Sequence, residues 1–505
     1  MSKNDWYPMG GNGGIPSDCF DTQEINNRRI KVSSKAESGS TGVTAFGELS
    51  VAEVTPVVQI SAQYGKEDDL NIVNSDGGTY TLEDGNYLVS SGTNPLGLSS
   101  LNTKKQLTYK PGQGITGRWS SFFDSQVENS LQASGLISSE DAFAFGYLGL
   151  DFGIIRAFGG VVEAQELTIT TAGSGTLTFV INNIGYDIPI SGDENNNAWE
   201  IAEYFRVNPA ENYIVTSNEN TVFMMNRVPG PQGVFTYTGG GSFAGTYDQI
   251  NAGVDLSLEL IKQEDWNGVN VDWLNPQFGN VYQIKFGYLG YSGINFYIKE
   301  PVTNTYVLVH TFEYGNTATK PIVRNPTFRI GWVSRNLGST TNLTVGGASA
   351  MVGNEGKIVN DNAPRGIENA LVGVGPTQTN IITIRNRFHF GGIINRAQII
   401  PLLLSASTDS AKGAFFRITA GANFGAALDF KYLDKQNSIV EYALDNVPVS
   451  GGRFLASFVV TSAGLVLSDD FLSRIEPDEY FTISCSNIGG GTSDMICGVT
   501  IVEDL

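Results

Sequence analysis

The sequence predicts an all-β protein built of jelly-roll or β-sandwich domains, with one short helix and an extended N-terminal arm. Three observations predict it. Glycine supplies 60 of 505 residues, about 12% against a usual share near 7%, with no collagen period. Charged residues reach 16%, below the roughly 25% of an average soluble domain, while aromatics reach 11%. Short runs of alternating apolar and polar residues recur along the chain, bounded by Gly, Asn, Asp or Pro. Such a chain has apolar material for sizeable cores, and its length suits two or three domains.

Residues 1–45 are rich in Gly, Ser, Asn and charge, and Gly10-Gly11-Asn12-Gly13-Gly14 holds regular structure only at high entropic cost. They read as an extended arm that orders against something else, with a disordered tail as the alternative. Residues 46–110 carry short apolar runs, such as Val54 to Ile60, broken at Ser75-Asp76-Gly77-Gly78 and Glu83-Asp84-Gly85-Asn86. They read as a small strand-rich connector or anchoring segment. Residues 111–350 are the main jelly-roll or β-sandwich domain. Tyr282 to Tyr288 alternates as a half-buried strand, and Tyr306–His310 and Phe328–Trp332 follow suit. Leu167–Thr170 and Thr176–Ile181 flank Gly173-Ser174-Gly175 and read as a hairpin. Asn197 to Arg206 predicts a helix, with Ala198, Ile201, Ala202 and Phe205 on one face, N-caps at Asn195–Asn197 and Pro209 beyond its end. A lone helix among strands covers an open end or face of a sandwich. Residues 351–378 punctuate without a core pattern and read as a linker. Residues 379–505 resume strands and suffice for a C-terminal β-sandwich.

A local echo joins Phe145-Gly146-Tyr147-Leu148-Gly149 to Phe286-Gly287-Tyr288-Leu289-Gly290. It reads as two hairpins with shared turn chemistry, or as a duplicated half-sandwich. No period of solenoid or propeller length is present.

The net charge of −20 opposes phosphate backbones and anionic membrane surfaces, so neither nucleic acid nor membrane insertion is expected. No run of roughly 18 apolar residues occurs, and Ile393 to Ala406 is interrupted by Asn395, Arg396 and Gln398. The N-terminus lacks the basic-then-apolar pattern of a signal peptide. Three cysteines, Cys19, Cys485 and Cys497, are too few for a disulfide scaffold. A hairpin centred on Gly491 would set Cys485 opposite Cys497 within bonding reach; buried free thiols are the other reading, in keeping with folding in a reducing compartment.

Motifs for chemistry are sparse. The two histidines, His310 and His389, read as strand residues, and no Gly-x-Ser-x-Gly elbow, HExxH or phosphate-binding loop occurs. Asn74, Asp76, Gly77 and Glu83 mimic part of a calcium loop, but Ile72 stands where its first ligand belongs, so the segment reads as a turn. No catalytic residue, cofactor or metal is expected. Glu264, Asp265 and Asp272 lie beside Trp266 and Trp273. Tryptophan faces stack on sugars, which makes Trp266 and Trp273 the candidate glycan contacts; a loop packing its tryptophans inward is the plainer reading.

One resemblance spans roughly residues 45–350. Ala45-Phe46-Gly47-Glu48-Leu49-Ser50-Val51-Ala52, Thr55-Pro56-Val57-Val58-Gln59-Ile60 and Tyr109-Lys110-Pro111-Gly112-Gln113-Gly114 come first. Gly117-Arg118-Trp119, Phe145-Gly146-Tyr147, Asp151-Phe152-Gly153-Ile154 and Trp266-Asn267 follow, then Asn280 to Ile284, Tyr288-Leu289-Gly290 and Val309-His310. In this order they resemble a family of virion structural proteins of tailed phages and large DNA viruses. The resemblance implies a non-enzymatic capsid-associated, fibre or spike protein, made in the host cytoplasm and located in the virion. It implies a homo-oligomer, a trimer foremost, with other capsid or tail proteins as partners through the N-terminal arm. The alternative is a receptor- or glycan-binding adhesin module that contacts host surface glycan; a polysaccharide depolymerase stands third.

Overall fold

The computed structural model describes residues 53–64, 70–138, 140–181, 184–208, 213–231, 235–323, 326–356, 362–390, 393–468, 474–477 and 479–504. The expected arm, residues 1–45, and Cys19 lie outside them. The regular structure of the described residues is antiparallel strand throughout, apart from one α-helix, Glu194–Val207, and short 3-10 turns. No helix among the described residues is long and apolar enough to cross a membrane.

Two large sheets share the first core. One runs Tyr306–Phe312, Ile294–Lys299, Asn280–Phe286, Gly114–Phe123, Thr344–Gly347, Asn86–Ser90, Thr79–Glu83, with Val54–Ser61 and Ser349–Glu355 paired beside it. The other runs Ser257–Lys262, Asp151–Phe158, Ala142–Leu148, Ser130–Ile137, Thr327–Asn336, Leu98–Thr103, Leu70–Ser75. Period-two alternation turns Tyr282, Ile284 and Phe286 of the first sheet inward against Phe143, Phe145 and Trp332 of the second. The Phe145 and Tyr282 rings lie 4.7 Å apart, and the Trp119 indole donates to Ser134 Oγ at 2.9 Å across the core. Burying one such ring contributes about 3 kcal/mol.

The boundary between a connector at 46–110 and a main domain at 111–350 does not survive. Val54–Ser61 pairs with Ser349–Glu355, Leu98–Thr103 with Thr327–Asn336, and Asn86–Ser90 with Thr344–Gly347. Partners more than two hundred residues away supply the other half of each ladder, so local breaks at turns hid the shared core. The calcium-like segment is the turn between strands of opposite sheets, with Asp76 and Gly77 at φ 50° and 84°.

A second core is inserted within the first. Asp151–Phe158 and Ser257–Lys262 are neighbours in one sheet, and the chain between them leaves and returns at that edge. There Tyr213–Asn218, Thr221–Pro229, Val162–Thr171 and Ala244–Asn251 form one small sheet, and Ile184–Ile190, Gly175–Ile181 and Thr236–Gly239 another. The hairpin expected around Gly173–Gly175 is therefore a crossing between sheets: Leu167 pairs with Val222 and Tyr247, and Leu177 with Ile188 and Gly239. The helix buries Ala198, Ile201 and Phe205 into this second core rather than closing the large sandwich. Its N-cap is Asp193, whose carboxylate accepts from Asn196 N at 2.9 Å, one turn earlier than the asparagines suggest. Asn197 is buried and accepts from Gly173 N at 2.7 Å.

The C-terminal sandwich packs Arg365–Val374, Ser493–Asp504, Gln398–Thr408 and Leu465–Ser468 against the sheet containing Thr379–Asn386, Tyr480–Asn487 and Ala414–Ala420. Its first strand, Arg365–Val374, lies inside the expected linker 351–378. It is an edge strand whose ladder shifts register between Leu371 and Val374, which disguises its periodicity. Cys485 and Cys497 belong to different sheets and face one core as free thiols, not as a hairpin pair. Burial pushes both thiols up to about 12. The echoed segments are hairpins, one in each large sheet, with Gly149 and Gly290 at φ 63° and 83°.

The C-terminal sandwich is tied to the first by buried polar groups. Arg396 pairs with Glu140 at 2.5 Å, with side chains 8% and 11% exposed. Gln106 donates to Arg396 O, Gln398 donates to Gln106 O, and Lys110 pairs with Asp504. Glu476 lies at this joint and accepts from Gln398 Nε2 at 2.7 Å. Burial pushes its carboxyl up from near 4.5 to about 7, with Glu479 adding to the rise while Gln398, Arg329 and Arg474 oppose it. The folded chain thus holds this proton more tightly than the unfolded chain. The contribution is complete below about pH 4.5 and is lost as pH rises through about 7, a change of roughly 3 kcal/mol. Glu476→Gln should lose that dependence: denaturant unfolding from pH 4.5 to 8 should show the variant gaining on the parent as pH rises. A constant difference would contradict the assignment.

Candidate functional site

The two tryptophans marked by sequence are packing residues in this fold. Trp266 follows the short turn Gln263–Asp265, donates its indole N–H to Ile261 O at 3.2 Å, and meets Phe145 and Phe152 edge-on at 5.9 and 6.3 Å. Trp273 is half-buried against the same core. Glu264, Asp265 and Asp272 are exposed beside them. His310 is buried, accepts from Asn267 N at 3.3 Å, and is pushed below the usual imidazole range by burial. Among the described residues no group of three or more His, Cys, Asp or Glu is placed to share a metal ion.

A cleft of about 190 Å³ opens elsewhere, between the inserted unit and the C-terminal sandwich. The helix Glu194–Val207 and the strand Tyr213–Asn218 form one wall; Arg385, Phe424, Phe430 and Tyr480 form the other. A smaller cleft of about 30 Å³ shares Thr216 and Arg385 with it and continues to Arg387, His389 and Tyr432. The two clefts adjoin at Thr216 and Arg385, and this pair of clefts is the candidate groove.

Trp199 stands at the larger cleft, half-buried. Among the described residues its side chain joins no apolar cluster and makes no ring contact or hydrogen bond. Trp119 and Trp332 are core residues by contrast. The amphipathic helix explains the position: Ala198, Ile201, Ala202 and Phe205 turn inward, and Trp199 lies on the flank between core and solvent.

Around this ring the polar groups are fixed in planar pairs. Arg206 grips Glu203 through Nε and Nη2 at 2.6 and 2.5 Å, and Nη2 also donates to Asn423 Oδ1 at 2.7 Å across the cleft. The hydrogen bond that Arg206 donates to Glu203 holds the guanidinium above its ordinary pKa. Arg385 donates to Glu441 Oε2 at 2.8 Å and to Ser217 O at 2.5 Å, with its plane 3.8 Å over the Phe430 ring. Asn218 donates to the other Glu441 oxygen at 2.5 Å. In the smaller cleft Arg387 donates to Lys435 O and Ser438 O, both at 3.0 Å, and lies over Tyr432 and Phe390. Burial foremost, then Glu441, pushes the Tyr432 phenol up to about 12, against the pull of Arg387.

This arrangement offers a flat apolar face beside rigid donor–acceptor pairs. Reading the helix for its core face passes over Trp199, although a tryptophan on the flank of such a face is a local signal. The partners across the groove come from residues 385–441 and 480, and no local pattern joins them to the helix.

No family model matches the chain, and no curated protein matches it. Among solved structures it is similar to arcelin-5, a lectin-like defence protein from Phaseolus vulgaris, at 8% identity over 59% of this chain and 99% of that one, TM-score 0.24. It is similar to a glycosyl hydrolase family protein from Mycobacterium fortuitum at 7% identity over 59% and 100%, TM-score 0.25. Sulfolobus Turreted Icosahedral Virus gives a match of 8% identity over 90% and 99%, TM-score 0.16. Likenesses of this size carry no weight for function.

The different settings of the tryptophans have separable consequences. Trp266→Ala should cost about 3 kcal/mol of unfolding free energy, because it empties the edge of the main core. Trp199→Ala should cost under about 1 kcal/mol. Urea titration decides between them, and equal losses would show that Trp199 is a packing residue too.

Proposed function

We propose that the chain is a non-enzymatic glycan-binding module that presents the groove between its inserted unit and its C-terminal sandwich to surface polysaccharide. The observation that carries this reading is Trp199: a half-buried indole at a cleft, outside every apolar cluster, next to the Arg206–Glu203 pair. The C–H face of a sugar ring lies on an indole face. Its hydroxyls both donate and accept, so they can add to a carboxylate and a guanidinium at once. Binding without cleavage is favoured because both groove carboxylates, Glu203 and Glu441, are committed to arginines, whereas glycoside hydrolysis needs one carboxyl as acid and another as base or nucleophile.

The expected virion setting is a further part of this proposal. It rests on the order of the motifs along residues 45–350, in which Trp119, Phe145 and Tyr282 serve as core rings and Gly290 lies in a left-handed turn. Gold-labelled antibody to residues 379–505 should decorate purified particles from the source; unlabelled particles beside abundant free protein would remove that setting.

For the glycan reading, the full chain should be retained on immobilised surface polysaccharide of the host and should release no new reducing ends. Trp199→Ala should abolish retention while Trp273→Phe keeps it. Retention unchanged in Trp199→Ala would sink the groove as the site, and released reducing ends would make the protein an enzyme.

A further inference from the structure

We infer that the groove takes a linear, uncharged polysaccharide along its length, spanning both clefts rather than capturing a single terminal sugar. This rests on the glycan reading above. Two observations carry it.

The first is continuity. Thr216 and Arg385 line both clefts, so a chain lying beside Trp199 would reach Tyr432 by passing Arg385. The larger cleft, about 190 Å³, suits a ring or two. The smaller, about 30 Å³, suits only the edge of a sugar or one hydroxymethyl group. A ligand that uses both is a chain. Trp199 offers a ring face to the larger cleft, and Tyr432, whose ring lies under the Arg387 guanidinium, borders the smaller one.

The second is charge. Each guanidinium lining the groove is already engaged. Arg206 is neutralised by Glu203, and Arg385 by Glu441. Arg387 spends Nη1 on two carbonyls and has aromatic rings at its faces. At Arg206 or Arg385 a carboxylate or sulfate on the ligand would have to displace Glu203 or Glu441 and leave that carboxylate without its partner. The net charge of −20 adds long-range repulsion of a polyanion. A neutral hydroxyl displaces nothing: it accepts from the guanidinium edge and donates to a spare carboxylate lone pair. Lys435, 5.5 Å from the Tyr432 ring centroid, is exposed and faces Glu166.

The test is a length series on the full chain, read by calorimetry. Dextran-, mannan- and laminarin-derived oligosaccharides of one, two, four and six residues are compared with polygalacturonate fragments of equal length. At least one neutral series should tighten about tenfold from two residues to six. Thr216→Tyr, which plugs the junction of the two clefts, should remove that gain and keep the affinity of the disaccharide; Thr216→Val should keep both. Equal affinity at all lengths would overturn the chain-spanning inference while leaving glycan binding intact. Tighter binding of polygalacturonate would overturn the neutral assignment. No binding of any series would overturn this inference and the glycan reading together.

Discussion

The guanidinium of Arg385 joins two parts of the molecule that are distant in sequence. It rises from the C-terminal sheet, pairs with Glu441 beside it, and donates to Ser217 O of the inserted unit while its plane rests on Phe430. Asn218 answers from the inserted unit by donating to the same Glu441. With side chains 11% and 6% exposed, the pair is shielded from water, and removal of either partner would leave an uncompensated charge costing about 3 kcal/mol or more. The groove exists because this contact fixes the helix wall against the C-terminal wall. Arg385 also borders both clefts, so the group that holds the walls together is the floor that a ligand would touch.

The rest of the architecture serves that contact. The large sandwich supplies the platform, and its edge pair Asp151–Phe158 and Ser257–Lys262 is the root of the inserted unit. The buried joint at Arg396, Glu140, Gln106 and Gln398 sets the C-terminal sandwich on the same platform. Both walls are thus anchored to the platform by contacts that do not involve Arg385. Preorganisation of this kind lowers the ordering cost of binding.

How much of this was legible in the sequence follows from the range of each interaction. The all-β class and the strands around Tyr282, Val309 and Phe328 show in local alternation. So does the helix, because Ala198, Ile201, Ala202 and Phe205 are local too. What was hidden is non-local: Val54–Ser61 finds its partner at Ser349–Glu355, and no periodicity within either strand announces the other. The same holds for the candidate site. Trp266 and Trp273 stood out because acidic residues lie beside them in the chain, yet their rings point to the core. Trp199 gains its significance from Arg385, Asn423 and Tyr480 across a gap that only the fold creates.

A crystal structure of the full chain soaked with the neutral hexasaccharide that binds most tightly tests the central claim most directly. The account predicts sugar density running from the Trp199 ring past Arg385 to Tyr432, with the Arg206–Glu203 and Arg385–Glu441 pairs intact and bonded to hydroxyls. Density on the Trp266–Trp273 loop instead, with the groove holding only water, would contradict it.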